Sequence, residues 1–252
     1  MNKILLIVNP NLKECDVEDV KKHLNDHNVI VFDDPLDNES AYCDLDKLMD
    51  NVDTVITLGG DGSMLKVAEL VYKHDLSLFG INYGGIGYLT SLRKNELDKL
   101  KLEPEIEKRT MLDVWVNDGV HHYALNDVVI CKSNINIPIK LKVDDGRSIT
   151  NYFVDGLIVS SSTGSSAYSY SAGAPIIEEG KLVLTPICPV NRSSHYKIYD
   201  DSVSFKINSY RDNRDEAYLS IDGSNSISIN KDDYIYVKKA SNKLKIVRFK
   251  ND

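Results

Sequence analysis

Thr54-Val55-Ile56-Thr57-Leu58-Gly59-Gly60-Asp61-Gly62-Ser63 joins two opposite textures. The first five residues are β-branched or apolar and read as a buried strand, and the glycines stop it. From Ser63 onward Met64, Leu65, Val67, Ala68, Leu70 and Val71 recur at helical spacing. A carboxylate, Asp61, therefore stands at the carboxyl end of a strand that feeds a helix, the place where open α/β sheets put their ligands. Glycine at such a turn permits positive φ and lets a phosphate or ribose approach the main chain. The same pattern also fits ordinary punctuation, with Asp61 serving as an N-cap.

Working outward, Lys3 to Val8 reads as a buried strand, followed by Asn9-Pro10, a polar helix-compatible stretch, and a second short apolar run from Val29 to Phe32. Leu45 to Asn51 predicts a short helix. Leu76 to Ile81 predicts the next strand, ended by Asn82-Tyr83-Gly84-Gly85. This alternation implies a mostly parallel sheet with helices on it. After about Leu100 the texture becomes β-rich: Met111 to Val116, His121 to Ile130, Ile139 to Val143, Ser148 to Val154, Leu182 to Thr185, Ser202 to Ile207, Ala217 to Ile221, Ser226 to Ile229, Tyr234 to Lys238 and Lys245 to Phe249 are strand candidates. The expected organisation is an α/β N-terminal domain with a mostly parallel sheet over residues 1–102, then a β-rich second domain over 103–252. The junction lies at Glu103-Pro104, and the last strand is free to return to the first domain.

Composition narrows the function. A chain of 252 residues with formal charge −8 lacks the basic surface that nonspecific nucleic-acid binding needs. No apolar run approaches the ~18 residues of a membrane span, and no secretory or lipidation motif is visible, so a cytoplasmic protein without membrane contact is expected. Cys15, Cys43, Cys131 and Cys188 are scattered without a Cys-x-x-Cys pair, which predicts free buried thiols. The six histidines have no metal-ligand spacing and are expected at the surface or at caps. An anionic ligand would need local help from glycine turns, helix N-termini, placed Lys or Arg, or a divalent metal.

A second segment, Asp155-Gly156-Leu157-Ile158-Val159-Ser160-Ser161-Ser162-Thr163-Gly164-Ser165-Ser166-Ala167-Tyr168, begins with a carboxylate at a turn and continues as a short buried strand. It ends in a hydroxyl-rich loop closed by an aromatic. Hydroxyl and backbone donors suit phosphate or ribose, and Tyr168 offers a face to a flat base. A solvated connection beside a core tyrosine is the plainer reading.

Taken together, these motifs resemble the NAD kinase family. Gly59 to Leu65 is similar to its first motif, Asn82 to Leu89 to its glycine-rich loop, and Leu125-Asn126-Asp127 to its Asn-acidic pair. Asp155 to Tyr168 is similar to its long second-domain signature, and Ser220-Ile221-Asp222-Gly223 to a late Asp-Gly turn. The resemblance runs from about residue 1 to 249, including the closing basic strand Lys243 to Phe249. It implies that Asp61 is the catalytic carboxylate, with Gly62 and Tyr88 lining the same pocket and Lys66 facing phosphate. It further implies that Asn126 and Asp127 hold the adenosine ribose and that Asp155 lies near the nicotinamide end. Thr163, Ser166, Ala167, Tyr168, Ser171 and Asp222 would contact the dinucleotide in the β-rich domain. Three residues depart from the family pattern: Ser162 stands in place of Pro, Phe153 in place of Arg and Ser224 in place of Gln. Losing Pro should loosen the 162–166 loop without ligand, and losing Arg removes a phosphate or carboxamide contact.

The implied activity is phosphoryl transfer to the adenosine 2′-hydroxyl of NAD, giving NADP. Positioning and charge neutralisation carry such a reaction, and a carboxylate can take the proton late. ATP is the expected donor, with another nucleotide or polyphosphate open, alongside Mg²⁺ or another divalent cation held largely by phosphate and water. A homodimer or homotetramer is expected. Diacylglycerol kinases and phosphofructokinases also carry Gly-Gly-Asp-Gly, so a lipid or sugar kinase is the rival enzyme. A non-catalytic NAD-sensing module is the rival from another class.

Overall fold

The computed structural model describes residues 3–24, 27–32, 39–191, 194–209 and 217–249. The chain forms two compact units, Met1–Arg109 with Leu244–Asp252, and Thr110–Lys243. Among the described residues no helix is long and apolar enough to cross a membrane.

The first unit alternates strand and helix: β1 (Lys3–Val8), α1 (Glu14–His23), β2 (Asn28–Phe32), α2 (Glu39–Met49), β3 (Thr54–Gly59), α3 (Asp61–Lys73) and β4 (Ser77–Asn82). A two-residue strand, β5 (Leu92–Arg93), pairs with β4, and a 3₁₀ turn covers Leu97–Lys101. The strands lie side by side in the order β4-β3-β1-β2, all parallel. Because β2 lies on one side of β1 and β3 on the other, the connections reverse direction there. The carboxyl ends of β1 and β3 therefore flank the crevice where such sheets bind ligands. Asn9 donates its amide to the carbonyl of Leu58 at that point, 3.0 Å away. Parallel strands covered on both faces must be apolar throughout; β3 is buried at every residue and β1 at all but Lys3.

The second unit is built from β6 (Pro104–Val116) from Thr110 onward, β7 (His122–Ala124), β8 (Asp127–Lys132), β9 (Ile139–Asp144), β10 (Ile149–Val154), β11 (Gly156–Ser160), the single turn α4 (Tyr168–Ser171), β12 (Lys181–Ile187), β13 (Lys197–Asp200), β14 (Ser204–Ser209), β15 (Ala217–Ile221), β16 (Ser224–Ile229) and β17 (Tyr234–Phe249) up to Lys243. One antiparallel set runs β10-β9-β14-β17 and another β13-β12-β11-β8-β15-β16. Their apolar faces meet in one cluster, with Tyr152, Phe205 and Val237 from the first and Ile130, Leu157, Leu184 and Leu219 from the second.

Sequence periodicity sets a break between residues 102 and 103. The compact units divide instead between Arg109 and Thr110, because β6 begins at Pro104 and runs through that point unbroken. The expected strand from His121 to Ile130 is two strands, since the amides of Leu125 and Asn126 bond elsewhere. The two terminal strand candidates are one strand of 16 residues, β17. Its start pairs antiparallel with β14, and its end pairs parallel with β4 through Lys245 and Ile246. Phe249 closes the first unit's core edge-on against Phe79, ring centroids 5.4 Å apart. The helix expected from Leu45 begins earlier, at Glu39, and Lys197–Asp200 is a strand that sequence pattern did not disclose. The four cysteines are free; Cys15, Cys43 and Cys188 are exposed rather than buried, and Cys131 is half-buried.

Ile246 is fully buried. Ile246→Ala should therefore cost about 2–5 kcal/mol, the usual loss for emptying a core site. Urea unfolding monitored by fluorescence checks this, and an unchanged midpoint would show that the terminal strand is not part of the first unit's core.

Candidate active site

In the first unit, β3 ends at Gly59 and Gly60 caps α3 with φ −114°, so that Asp61 is the first residue inside the helix. Asp61 is thus not the N-cap. Its carboxylate turns to the loop after β4, where Oδ2 accepts the amide of Tyr88 at 2.8 Å and Oδ1 accepts those of Leu89 at 3.0 Å and Thr90 at 3.1 Å. A carboxylate offers about four lone-pair positions, two on each oxygen. Oδ1 is filled and Oδ2 keeps one position without a partner among the described residues. The site is therefore shaped to receive one further donor, such as one hydroxyl.

The glycines serve closeness and openness rather than positive φ. None of Gly59, Gly60 and Gly62 has positive φ. A Cβ on Gly59 would stand 2.2 Å from Ser63 Oγ, whereas Gly60 and Gly62 have nothing within 4 Å of that position. The open space lies at the N-terminus of α3, where unpaired amides and the helix dipole favour an anion. Tyr88 contributes its backbone, its side chain being 75% exposed. Lys66 is an exposed residue five positions after Asp61, about 140° around the helix from it.

Arg248, which the sequence reading missed as a site residue, completes this arrangement. Its Nη1 donates to the carbonyls of Leu89 at 2.8 Å and Thr90 at 3.1 Å, and its Nε to Glu107 at 2.8 Å.

In the second unit, the β15–β16 hairpin turns at Asp222 and Gly223, with φ +49° and +73°, the turn that Asp-Gly favours. The Asp222 carboxylate accepts three consecutive amides: Leu125 at 2.6 Å, Asn126 at 2.7 Å and Asp127 at 3.0 Å. This is what parts β7 from β8. The same segment is held from its other side by the hydroxyl-rich loop, since Ser161 donates its amide to the Asn126 carbonyl at 2.9 Å and its hydroxyl to that of Leu125. Gly164 lies so close that a Cβ there would stand 2.2 Å from the Asn126 carbonyl oxygen. Only glycine fits against that backbone.

A cavity of about 400 Å³ opens beside this knot, lined by Asn126, Asp127, Ala167, Tyr168 and Asp222, together with Val129, Cys131, Ser220 and Gly223. Asp127, Val129 and Cys131 alternate along β8 and so share one face, a signal in the sequence that pointed to Cys131. The Asn126 side chain makes no hydrogen bond among the described residues, and neither does the Asp127 carboxylate. Burial first, and the Asp222 charge second, push the Asp127 carboxyl up to about 7.

Thr163, Ser166, Ser171 and Asp155 do not line the cavity. The Thr163 hydroxyl is buried without a partner among the described residues. Ser166 bonds back to the Thr163 carbonyl and Ser171 to that of Ala167. Asp155 pairs with Lys132 at 2.6 Å. Ser162, where a less rigid loop was expected, is tethered: its hydroxyl donates to Glu179, which also accepts from Thr110 and Lys243. Burial opposes ionisation of Glu179, but these three donors outweigh it and hold the carboxyl at about 2. Phe153 is 40% exposed, and Ser224 bonds the Ile221 carbonyl inside its hairpin.

Asp127 gives a pH signature. An unfolded Asp releases its proton near 3.9, and the folded one does so at about 7. The native state therefore binds more protons between those values, and stability falls as pH rises through that window. Asp127→Asn should remove this slope, raising the Tm of unliganded protein at pH 8 relative to wild type by a few degrees while leaving pH 4 nearly unchanged. Melting curves from pH 4 to 8 check this, and parallel curves for the two proteins would rule it out.

Two family models match: the ATP-NAD kinase N-terminal domain over residues 4–101 and the ATP-NAD kinase C-terminal domain over residues 125–249. A protein of Ruminiclostridium cellulolyticum described as NAD kinase is 34% identical over 244 residues, 92% of this chain and 85% of its own. Another of the same description from Caldicellulosiruptor saccharolyticus is 38% identical over 207 residues, 79% of this chain and 78% of its own. Among solved structures, yeast NADH kinase complexed with NADH superposes with a TM-score of 0.83 at 20% identity, covering 99% of this chain and 84% of that one. An NAD kinase from Archaeoglobus fulgidus in complex with ATP gives 0.77 at 22% identity, covering 99% and 94%. The structural likenesses carry the fold: an α/β domain with a mostly parallel sheet and an antiparallel β-rich domain.

Proposed function

The chain belongs to the NAD kinase family, and from that premise we propose that Asp61 Oδ2 takes the proton of the adenosine 2′-hydroxyl as it attacks the γ-phosphorus of ATP. The enzyme phosphorylates NAD to NADP. The observation that carries the role of Asp61 is its lone-pair inventory: three backbone amides fix the carboxylate and one acceptor position on Oδ2 is left, enough for one hydroxyl. A fixed acceptor removes much of the entropy of aligning the nucleophile. Proton transfer need not be early when cleavage of the donor bond runs ahead.

The cavity beside Asn126 suits the adenosine half. The Asn126 amide offers a donor and an acceptor to ribose hydroxyls, a protonated Asp127 offers a further donor, and Tyr168 presents its ring to the base. Asp222 shapes this segment by holding its amides. ATP is supported as donor by the description of the matching family models and by the ATP complex of the similar archaeal kinase. The open glycine turn at the α3 N-terminus suits its phosphates. Among the described residues no three His, Cys, Asp or Glu side chains gather to hold a metal. Mg²⁺, or another divalent cation, would be carried mainly by phosphate oxygens and water and would neutralise charge on the transferring group.

The four free cysteines, three of them exposed, suit a reducing compartment and support a cytoplasmic location. A homodimer or homotetramer is supported by the edge strand β10, which exposes Ile149 at 57% and Phe153 at 40%. Light scattering at micromolar concentration should give a mass of two or four chains, and a single species of monomer mass would reject assembly.

The regiochemistry is tested with purified protein, ATP, Mg²⁺ and either NAD or its adenosine 2′-deoxy analogue, read by product mass. NAD should gain one phosphate, and the analogue should bind without reacting because the nucleophile is missing while the other contacts remain. Turnover of the analogue, or a phosphate on the nicotinamide ribose, would show that the ligand lies the other way round.

A further inference from the structure

The peptide group between Leu89 and Thr90 is gripped at both ends by opposite charges. Its N–H points to Asp61 Oδ1 at 3.1 Å, and its carbonyl oxygen accepts Arg248 Nη1 at 2.8 Å. In a trans peptide these two groups point in opposite directions, so guanidinium, peptide dipole and carboxylate stand in line. Each neighbouring peptide group is held at one end: Leu89 gives its amide to Asp61, and the Thr90 carbonyl accepts the same Nη1 at 3.1 Å. The Arg248 side chain is itself fixed, by Glu107 on Nε and by Ser91 Oγ, 3.4 Å from Nη1 and itself bonded to the Val247 carbonyl.

A cation on a peptide oxygen polarises the N–H at the other end and strengthens the bond which that N–H makes. The consequence falls on Oδ1, which receives both amides of the gripped stretch. With Oδ1 saturated and held, the open position on Oδ2 keeps one direction. We infer that Arg248 is a positioning residue for the phosphoryl-transfer step, fixing the Asp61 carboxylate through the Leu89–Thr90 peptide group. The inference rests on the reading of Asp61 as the base. Arg248 touches neither reacting atom in this role, so its removal should lower kcat and leave substrate affinity nearly intact.

The test measures kcat, KM for NAD and for ATP, and Tm in the full-length Arg248→Gln, Arg248→Lys and Asp61→Asn variants and in the double variant Arg248→Gln/Asp61→Asn. Misplacing a catalytic group by a fraction of an ångström should reduce kcat about 10- to 100-fold in Arg248→Gln, with each KM within about threefold of wild type. Arg248→Lys, which restores a cation near the two carbonyls, should recover part of the loss. Asp61→Asn should fall by about 10² to 10⁴, and adding Arg248→Gln to it should cost less than twofold more, because the residue acts only through Asp61. A kcat for Arg248→Gln equal to wild type, with Asp61→Asn inactive, overturns the role of Arg248 and spares that of Asp61. The same 10- to 100-fold loss appearing in the Asp61→Asn background also overturns it, since Arg248 would then act independently of the carboxylate. Full activity of Asp61→Asn instead overturns the reading of Asp61 itself. If Arg248→Gln does not fold, Glu107→Ala gives the second measurement by leaving Nε of the guanidinium without its acceptor. A fewfold loss of kcat at constant KM is expected there, and an unchanged kcat would overturn the proposal equally.

Discussion

Three consecutive backbone amides cannot all find carbonyl partners when the chain turns away from a sheet, and a carboxylate is the one side chain that can accept them together. This constraint is met twice, by Asp61 on residues 88–90 and by Asp222 on residues 125–127. Charge-assisted bonds of this kind contribute about 1.5–3 kcal/mol each. Exposed pairs such as Lys22–Asp19 or Lys47–Asp44 contribute little and are screened by salt. The order of the functional loops therefore depends on two aspartates far more than on the surface ion pairs. Each aspartate sits where regular structure has just changed, one at the first residue of a helix and the other in a hairpin turn. Rigid elements fix the acid, and the acid fixes the loop.

The two carboxylates hold the same set, three amides with two on one oxygen and one on the other, and differ in what stands beside them. Beside Asp222 the buried Asp127 is driven toward neutrality, chiefly by burial and then by the Asp222 charge. A carboxylate that accepts amides and a carboxyl driven toward its donor form thus stand side by side, each role set by surroundings rather than by residue type.

How much of this could be read from sequence depends on the range of the interaction concerned. The β3–Gly59–α3 junction was legible because strand periodicity, glycines and helix periodicity are local, and they predict an Asp at a strand end. The division of labour among the glycines was not: closeness at Gly59 comes from Ser63 Oγ, and the space at Gly60 and Gly62 is a property of their surroundings. Asp222 stands out in the sequence through the family resemblance of its Asp-Gly turn, because its three bonds are to backbone about a hundred residues earlier in the chain and leave no trace in side-chain pattern. Arg248 stood in a strand that was legible, but its partners are carbonyls, which every sequence has. Cys131 is within reach of the sequence, because β8 alternates and Cys131 shares the face of Asp127. The reading of two short strands at the C-terminus failed at Lys238 to Asn242, where the run of polar residues suggests a turn and β17 nevertheless continues.

That unbroken β17 has a consequence for how the molecule is made. The second unit is contiguous in sequence, so everything it needs has been synthesised once Lys243 is in place. The first unit lacks the strand that pairs with β4, and the ring that packs on Phe79, until residues 245–249 have been added. The unit begun first in the chain is therefore completed after the unit begun second. Until then the stretch of β4 at Ser77 and Leu78 and the face of Phe79 remain open, and a product released before residue 245 carries that unfinished sheet with it.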